Sequence, residues 1–160
     1  MTYSKHNILR GAIIYASGDT IAALILNEFS LMRLLGMVFI GATVYAFEIP
    51  NYFAWIEKKT KNLTGLKLQF SKTSLAILYF NPLWISRHLL FIMLISGHVG
   101  ELSWDLIRIG SLSFLVNIPL SIIANYVIQN RIRLKWRFFS SAVFSALMAI
   151  YYALSVVFFK

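Results

Sequence analysis

Four ionisable side chains, Asp19, Glu48, Arg87 and His88, sit inside stretches that are otherwise apolar. In hydrocarbon such groups are expensive: an arginine at the middle of a membrane helix costs roughly 2.5–3.5 kcal/mol on insertion scales, and more without a partner. Groups of this kind do one of two things. They line a wetted path for ions or polar solutes, or they bind one another and fix how helices pack. Arg87 poses the question most sharply. The segment 79–96 is apolar enough to span a bilayer, yet it holds Pro82, Arg87 and His88 near its middle. Depth along a helix, at about 1.5 Å per residue, selects its partner. Asp19 and Arg87 lie at similar depth, slightly to one side of centre, and form the expected pair; Glu48 is the second acid within reach. Asn117 and Asn125 add neutral amides, and Thr20, Thr43 and Ser86 add hydroxyls.

These residues need apolar elements to hold them, and the composition supplies little else. The chain has 160 residues, 59% of them hydrophobic, and a mean hydropathy of +0.71. The apolar residues come in runs of about 20, the length that crosses a hydrocarbon core of roughly 30 Å. The expected fold is all-α: a polytopic transmembrane helical bundle of five spans, at about 8–27, 34–56, 74–96, 106–128 and 138–159. Residues 1–160 form a single transmembrane domain in this reading, with no room for a separate soluble one.

The net charge of +9 would suit a nucleic-acid partner were the basic residues on one soluble face. They lie instead in short connections between apolar runs, where membrane topology puts them, so nucleic acid is not an expected partner. Counted by alternate connections, Lys and Arg number eleven on one side and two on the other, leaving Arg87 and Arg108 within or beside spans. The positive-inside rule then puts the N-terminus and the second and fourth loops on the basic side and the C-terminus opposite. Trp55, Trp104 and Trp136 fall at expected interfaces, while Trp84 lies in the third span beside Arg87. The sequon Asn62-Leu63-Thr64 falls on the basic side and is expected to be unmodified. The N-terminal segment does not read as a cleaved signal, because Asp19 interrupts its apolar core and a span follows on.

Three prolines fall inside spans. Pro50, Pro82 and Pro119 cannot donate to the carbonyls of Ala46, Leu78 and Leu115, so each span is expected to kink or open there. The freed carbonyls can serve a passage or be taken up by neighbouring hydroxyls. Gly11, Gly18, Gly36 and Gly41 allow close helix approach. Ile49-Pro50-Asn51-Tyr52 in the second span and Ile118-Pro119 with Asn125-Tyr126 in the fourth hint at a two-helix repeat. No cofactor and no enzyme chemistry are expected. There is no cysteine, His6, His88 and His98 are scattered, and no phosphate-binding glycine loop or nucleophile elbow occurs. Glu101 and Asp105 form a carboxylate pair by spacing, better explained as a solvated helix start.

The motifs together resemble the Mpv-type family of peroxisomal and mitochondrial inner-membrane proteins. Gly18-Asp19-Thr20-Ile21-Ala22 resembles its glycine-aspartate motif, and Met37 and Gly41 keep its second-span spacing. Pro50 with Trp55, Lys72 with Phe80 and Pro82, Pro119 with Asn125-Tyr126, and Tyr152-Ala153-Leu154-Ser155 follow its later motifs. Ala76 and Ile77 stand where the family has an Asp-Gln pair, Ile122 stands for a glutamine, and Gln129-Asn130 stands for a valine-proline. The resemblance implies a weakly selective channel in an organelle membrane. Asp19-Thr20 and Phe80-Asn81-Pro82-Leu83-Trp84 also resemble motifs of small bacterial L-alanine exporters, which would imply a bacterial inner membrane and amino-acid export.

The function expected from the residues is a channel or carrier for small hydrophilic solutes or ions. Asp19, Glu48, Arg87, His88, Asn117 and Asn125 would line or gate the path, with an Asp19–Arg87 pair able to close it. The rival is a non-transporting accessory subunit of a larger membrane complex, in which the same groups are interhelical glue. The expected partners are the lipid bilayer, small solutes or ions, and either further copies of the chain or that larger complex.

Overall fold

The computed structural model describes the backbone of residues 3–158 and the side chains of residues 3–100 and 102–151. Every regular element among them is helical. Helix α1 runs Lys5–Ile25, α2 Leu31–Ile40 and α3 Ala46–Thr60, with a π-helical turn, Gly41–Tyr45, joining α2 to α3. Then follow α4 (Gly65–Tyr79), α5 (Pro82–Ile95), a 3₁₀ turn (Val99–Glu101), α6 (Asp105–Asn130) and α7 (Leu134–Phe158). Four stretches among the described residues are long and apolar enough to cross a membrane: Lys5–Ile25, Leu31–Thr60, Gly65–Ile95 and Asp105–Asn130. The fifth expected span corresponds to α7, the end of which, with the Tyr152–Ser155 motif, lies outside the described side chains.

Local chemistry explains the boundaries. α1 ends in a Schellman motif: Asn27 takes a left-handed φ of 59°, Glu28 N–H donates to Ala23 C=O at 2.8 Å and Asn27 N–H to Leu24 C=O at 3.2 Å. That closure satisfies carbonyls that would otherwise be orphaned. Ser30 then caps α2, its Oγ accepting from Arg33 N–H at 3.1 Å, so the helix starts at Leu31 rather than at 34. Arg33 is thereby a residue of the helix and not of the loop.

The second connection is shorter than expected. α4 begins at Gly65, not at 74, and Lys67 and Lys72 are helical rather than loop residues. The charge of Lys72 is neutralised by Glu57, Nζ to Oε1 2.6 Å, which lets a lysine stand on a continuing helix.

Pro82 also behaves differently from the expected kink. α4 stops at Tyr79, Asn81 is extended (φ −77°, ψ 176°), its side chain accepts from Trp84 N–H, and Pro82 is the first residue of α5. Proline is favoured at that position, where its missing N–H would have had no partner and its φ is already helical. The third expected span is therefore two helices end to end. Pro50 and Pro119, in contrast, lie inside α3 and α6.

The chain packs as two compact units, one of residues up to Tyr52 with those from Lys135 onward, the other Phe53–Leu134. In the first, α1 crosses the start of the π turn at glycine against glycine: a Cβ on Gly11 would collide with Gly41 C=O, and one on Gly41 with Gly11 C=O. Gly18 meets Ala146 of α7 in the same way. The rings of Tyr15 and Tyr45 lie 4.5 Å apart beside this crossing, and Met37, Tyr45, Ala46 and Ile49 are fully buried. In the second unit, α6 packs on both α4 and α5, and a Cβ on Gly110 would collide with Ser86 Oγ.

Candidate functional site

The helices hold three sets of polar groups, one in the first unit and two in the second. The first surrounds Asp19, six residues before the end of α1 and so roughly 9 Å from it at the helical rise. Its carboxylate is bound by Arg33 in bidentate fashion, Nε to Oδ2 2.8 Å and Nη2 to Oδ1 2.8 Å. Asp19 and Arg33 are only 4% and 7% exposed. Arg33 Nη1 also donates to Glu28 at 3.2 Å, whose side chain is more than half exposed. Two parallel charge-assisted bonds fix both planes, and the tight 26–30 connection brings the helices near enough for one arginine to reach two acids.

This corrects the expected Asp19–Arg87 pair. The acid that depth assigned to Arg87 is engaged by Arg33, which sequence had counted among the loop cations. Arg33 is the residue that sequence reasoning missed. The available signal was Ser30: a serine cap there makes Arg33 the third helical residue, and an arginine side chain reaches further than one turn.

The second set belongs to the interrupted third span. Asn81 donates to Leu78 C=O at 3.0 Å and accepts from Trp84 N–H at 3.1 Å, so one amide serves both the end of α4 and the start of α5. Beyond the break His88 stacks on Trp84, 5.7 Å between centroids and nearly parallel, while the Arg87 guanidinium lies 5.9 Å from the Phe91 ring. Ser86 is buried and its hydroxyl lies 2.9 Å from both Pro82 C=O and Leu106 C=O, tying α5 to the start of α6.

A third group, unforeseen in the sequence, joins α4 to the end of α6. Tyr126 OH donates to Gln69 Oε1 at 2.9 Å. Asn130 Nδ2 lies 3.0 Å from Thr73 Oγ1 and 3.4 Å from Gln69 C=O. Gln69 and Thr73 were hidden because the sequence reading had left both outside the spans. Asn125 is buried and donates to its own Ser121 C=O at 2.9 Å, while Glu48 and Asn117 are half-buried on α3 and α6. Of the added hydroxyls, Thr43 donates to Phe39 C=O at 2.6 Å; Thr20 Oγ1 is buried with no hydrogen-bond partner among the described residues. Asp105 opens α6 with its N–H on Ser103 Oγ at 3.2 Å; the side chain of Glu101 lies outside the described residues.

No family model, no curated protein and no solved structure matches this chain.

Proposed function

We propose that this is an integral membrane protein passing small hydrophilic solutes or ions, with the interrupted third span as the polar site. The observation that carries the reading is the break at residues 80–81, midway along Gly65–Ile95. A helix that stops and restarts in hydrocarbon exposes backbone N–H and C=O groups, which membranes tolerate where they are buried in protein or line a cavity. In secondary transporters such half-helix ends are where substrates are held. Here the start of α5 brings its backbone N–H groups together with Arg87 and His88 on its second turn. The π turn in α3's lead-in and Pro119 in α6 are further irregularities in spans of this kind.

In this reading α7 is the fifth span, the N-terminus is on the basic side and the C-terminus is opposite. The Mpv-type resemblance would put the protein in an organelle membrane and the exporter resemblance in a bacterial inner membrane, with an amino acid as solute. The saturated Asp19–Arg33 pair favours a second reading, a non-transporting subunit of a larger complex, because a carboxylate held by two bonds is better suited to fixing helices than to exchanging ions.

Flux into liposomes containing only the purified protein separates the two. Passage of ions, amino acids or other small metabolites, altered in rate or selectivity by Arg87→Leu, is the expected result. Folded protein that passes none of them, and that co-purifies with stoichiometric partners in mild detergent, would establish the subunit reading instead.

A further inference from the structure

Away from the intramembrane groups, the N-terminal ends of α1 and α7 enclose a cleft of about 360 Å³ lined by Ser4, His6, Asn7, Arg10, Lys135 and Trp136. Its lining is basic and holds no acid, and the first turns of α1 and α7 carry none either. Arg10 is held in place without being neutralised. Its guanidinium lies 4.3 Å from the Trp136 ring centroid, and Nη1 donates to Lys135 C=O at 3.3 Å. A guanidinium has five N–H donors, and Arg10 is in no ion pair among the described residues, so a fixed cation faces the cleft with donors to spare. Lys135 gives its backbone carbonyl to that contact, lines the cleft and is exposed, so its ammonium is not consumed by holding Arg10. Just beyond the cleft, α1 presents Leu9 and Ile13 and α7 presents Phe139, all exposed.

A cationic cleft at a helix-pair end, with a tryptophan at its edge and an apolar flank beside it, matches an anionic phospholipid: phosphate in the cleft, acyl chain along the flank. We infer that this cleft binds the phosphate headgroup of an anionic membrane lipid. The inference rests on the membrane-spanning, basic-side reading above and is independent of transport. Basic pockets between membrane helices on that side are suited to such headgroups, and Arg offers phosphate a bidentate fork where Lys adds a point charge. The stacking of Arg10 on Trp136 orients the fork before the lipid arrives.

Native mass spectrometry of the full chain, released from micelles with equimolar phosphatidylglycerol and phosphatidylcholine, tests the site. Retention of phosphatidylglycerol over phosphatidylcholine on the order of tenfold is expected from two cations at the surface. Lys135→Gln, which keeps the backbone carbonyl that Arg10 uses, should cut the preference several-fold, and Arg10→Gln with Lys135→Gln should abolish it. Lys58→Gln with Lys59→Gln removes the same charge from the same side and should leave it intact. Equal retention of the two lipids, or equal loss in both double variants, overturns the site, the second result by reducing it to a diffuse basic surface. Displacement of the lipid by millimolar inorganic phosphate would overturn the lipid assignment in favour of a free-phosphate site. Carbonate washing of the source membranes reports separately on the membrane reading. Protein that stays in the pellet yet shows no lipid preference loses only the cleft assignment; protein released by the wash loses both.

Discussion

Two helix pairs in this chain turn back on themselves in nearly the same way and are fastened by different chemistry. α1 ends in a Schellman motif with Asn27 at φ 59°, and α5 ends in another with Gly97 at φ 80°, where His98 N–H donates to Met93 C=O at 3.0 Å. Each pair also has a glycine at a close approach, Gly11 of α1 against Gly41, just after α2, in one and Gly110 against Ser86 in the other. The fastening across the turn differs. α1 and α2 are joined by a buried bidentate ion pair, Asp19–Arg33, whereas between α5 and α6 the neutral hydroxyl of Ser86 is shared between two carbonyls, one on each helix. A single neutral hydrogen bond between helices contributes little net stability. A buried ion pair left half-made costs several kcal/mol, so it enforces one arrangement. The first pair is thus held by charge, and the second carries a neutral bond beside the break at residues 80–81, where Arg87 and His88 follow on α5.

That contrast orders the effects of mutation. Arg33→Leu strands a buried carboxylate and should lower stability by about 3–5 kcal/mol, read as thermal unfolding in a fixed detergent. Replacing both partners, Asp19→Leu with Arg33→Leu, should recover most of the loss, because no uncompensated charge remains. If the double variant is as unstable as the single one, the pair acts through something other than mutual neutralisation.

Next in size is the glycine crossing. Gly41→Ala drives a Cβ into the rigid Gly11 carbonyl and should cost about 1–3 kcal/mol; Gly110→Ala meets the rotatable Ser86 hydroxyl as well as backbone, and should cost less. Equal losses would mean that both crossings are equally rigid. Smaller still is Ser86→Ala, at about 0.6 kcal/mol, the average for a hydrogen bond between membrane helices. It should raise amide exchange at the start of α6 with little change in overall melting. The least effect belongs to Glu28→Gln, a few tenths of a kcal/mol, since an exposed ion-pair partner is screened; a larger loss would make Glu28 part of the clasp.

The helical class and four of the five expected apolar stretches were legible in composition, because runs of that length and hydropathy have few other uses. Close approach at Gly11, Gly18 and Gly41 was legible too, since those glycines sit where a side chain would keep helices apart. The partner of Asp19 was not. Comparing depths treats each residue as a point on its helix axis, but Arg33 reaches its acid through a long side chain from just inside a neighbouring helix. Lysine likewise misled at the start of α4: Lys67 and Lys72 look like loop charges until Glu57 is seen to face Lys72. Pro82 was recognised as an irregularity, but whether a proline bends a helix or begins a new one depends on the residue before it. Here Asn81 supplies the cap that turns a kink into a restart.

The most direct test of the division between a fixed clasp and a polar broken span is a paired flux measurement. Liposomes would carry equal amounts of folded wild-type protein, of Arg87→Gln, or of the Asp19→Asn with Arg33→Gln double variant, in which the clasp keeps its shape but loses its charges. The account predicts that Arg87→Gln changes the rate or selectivity of solute passage while the uncharged clasp leaves both as in the wild type. Passage that is changed by the uncharged clasp and untouched by Arg87→Gln would contradict it and move the path to the α1–α2 hairpin.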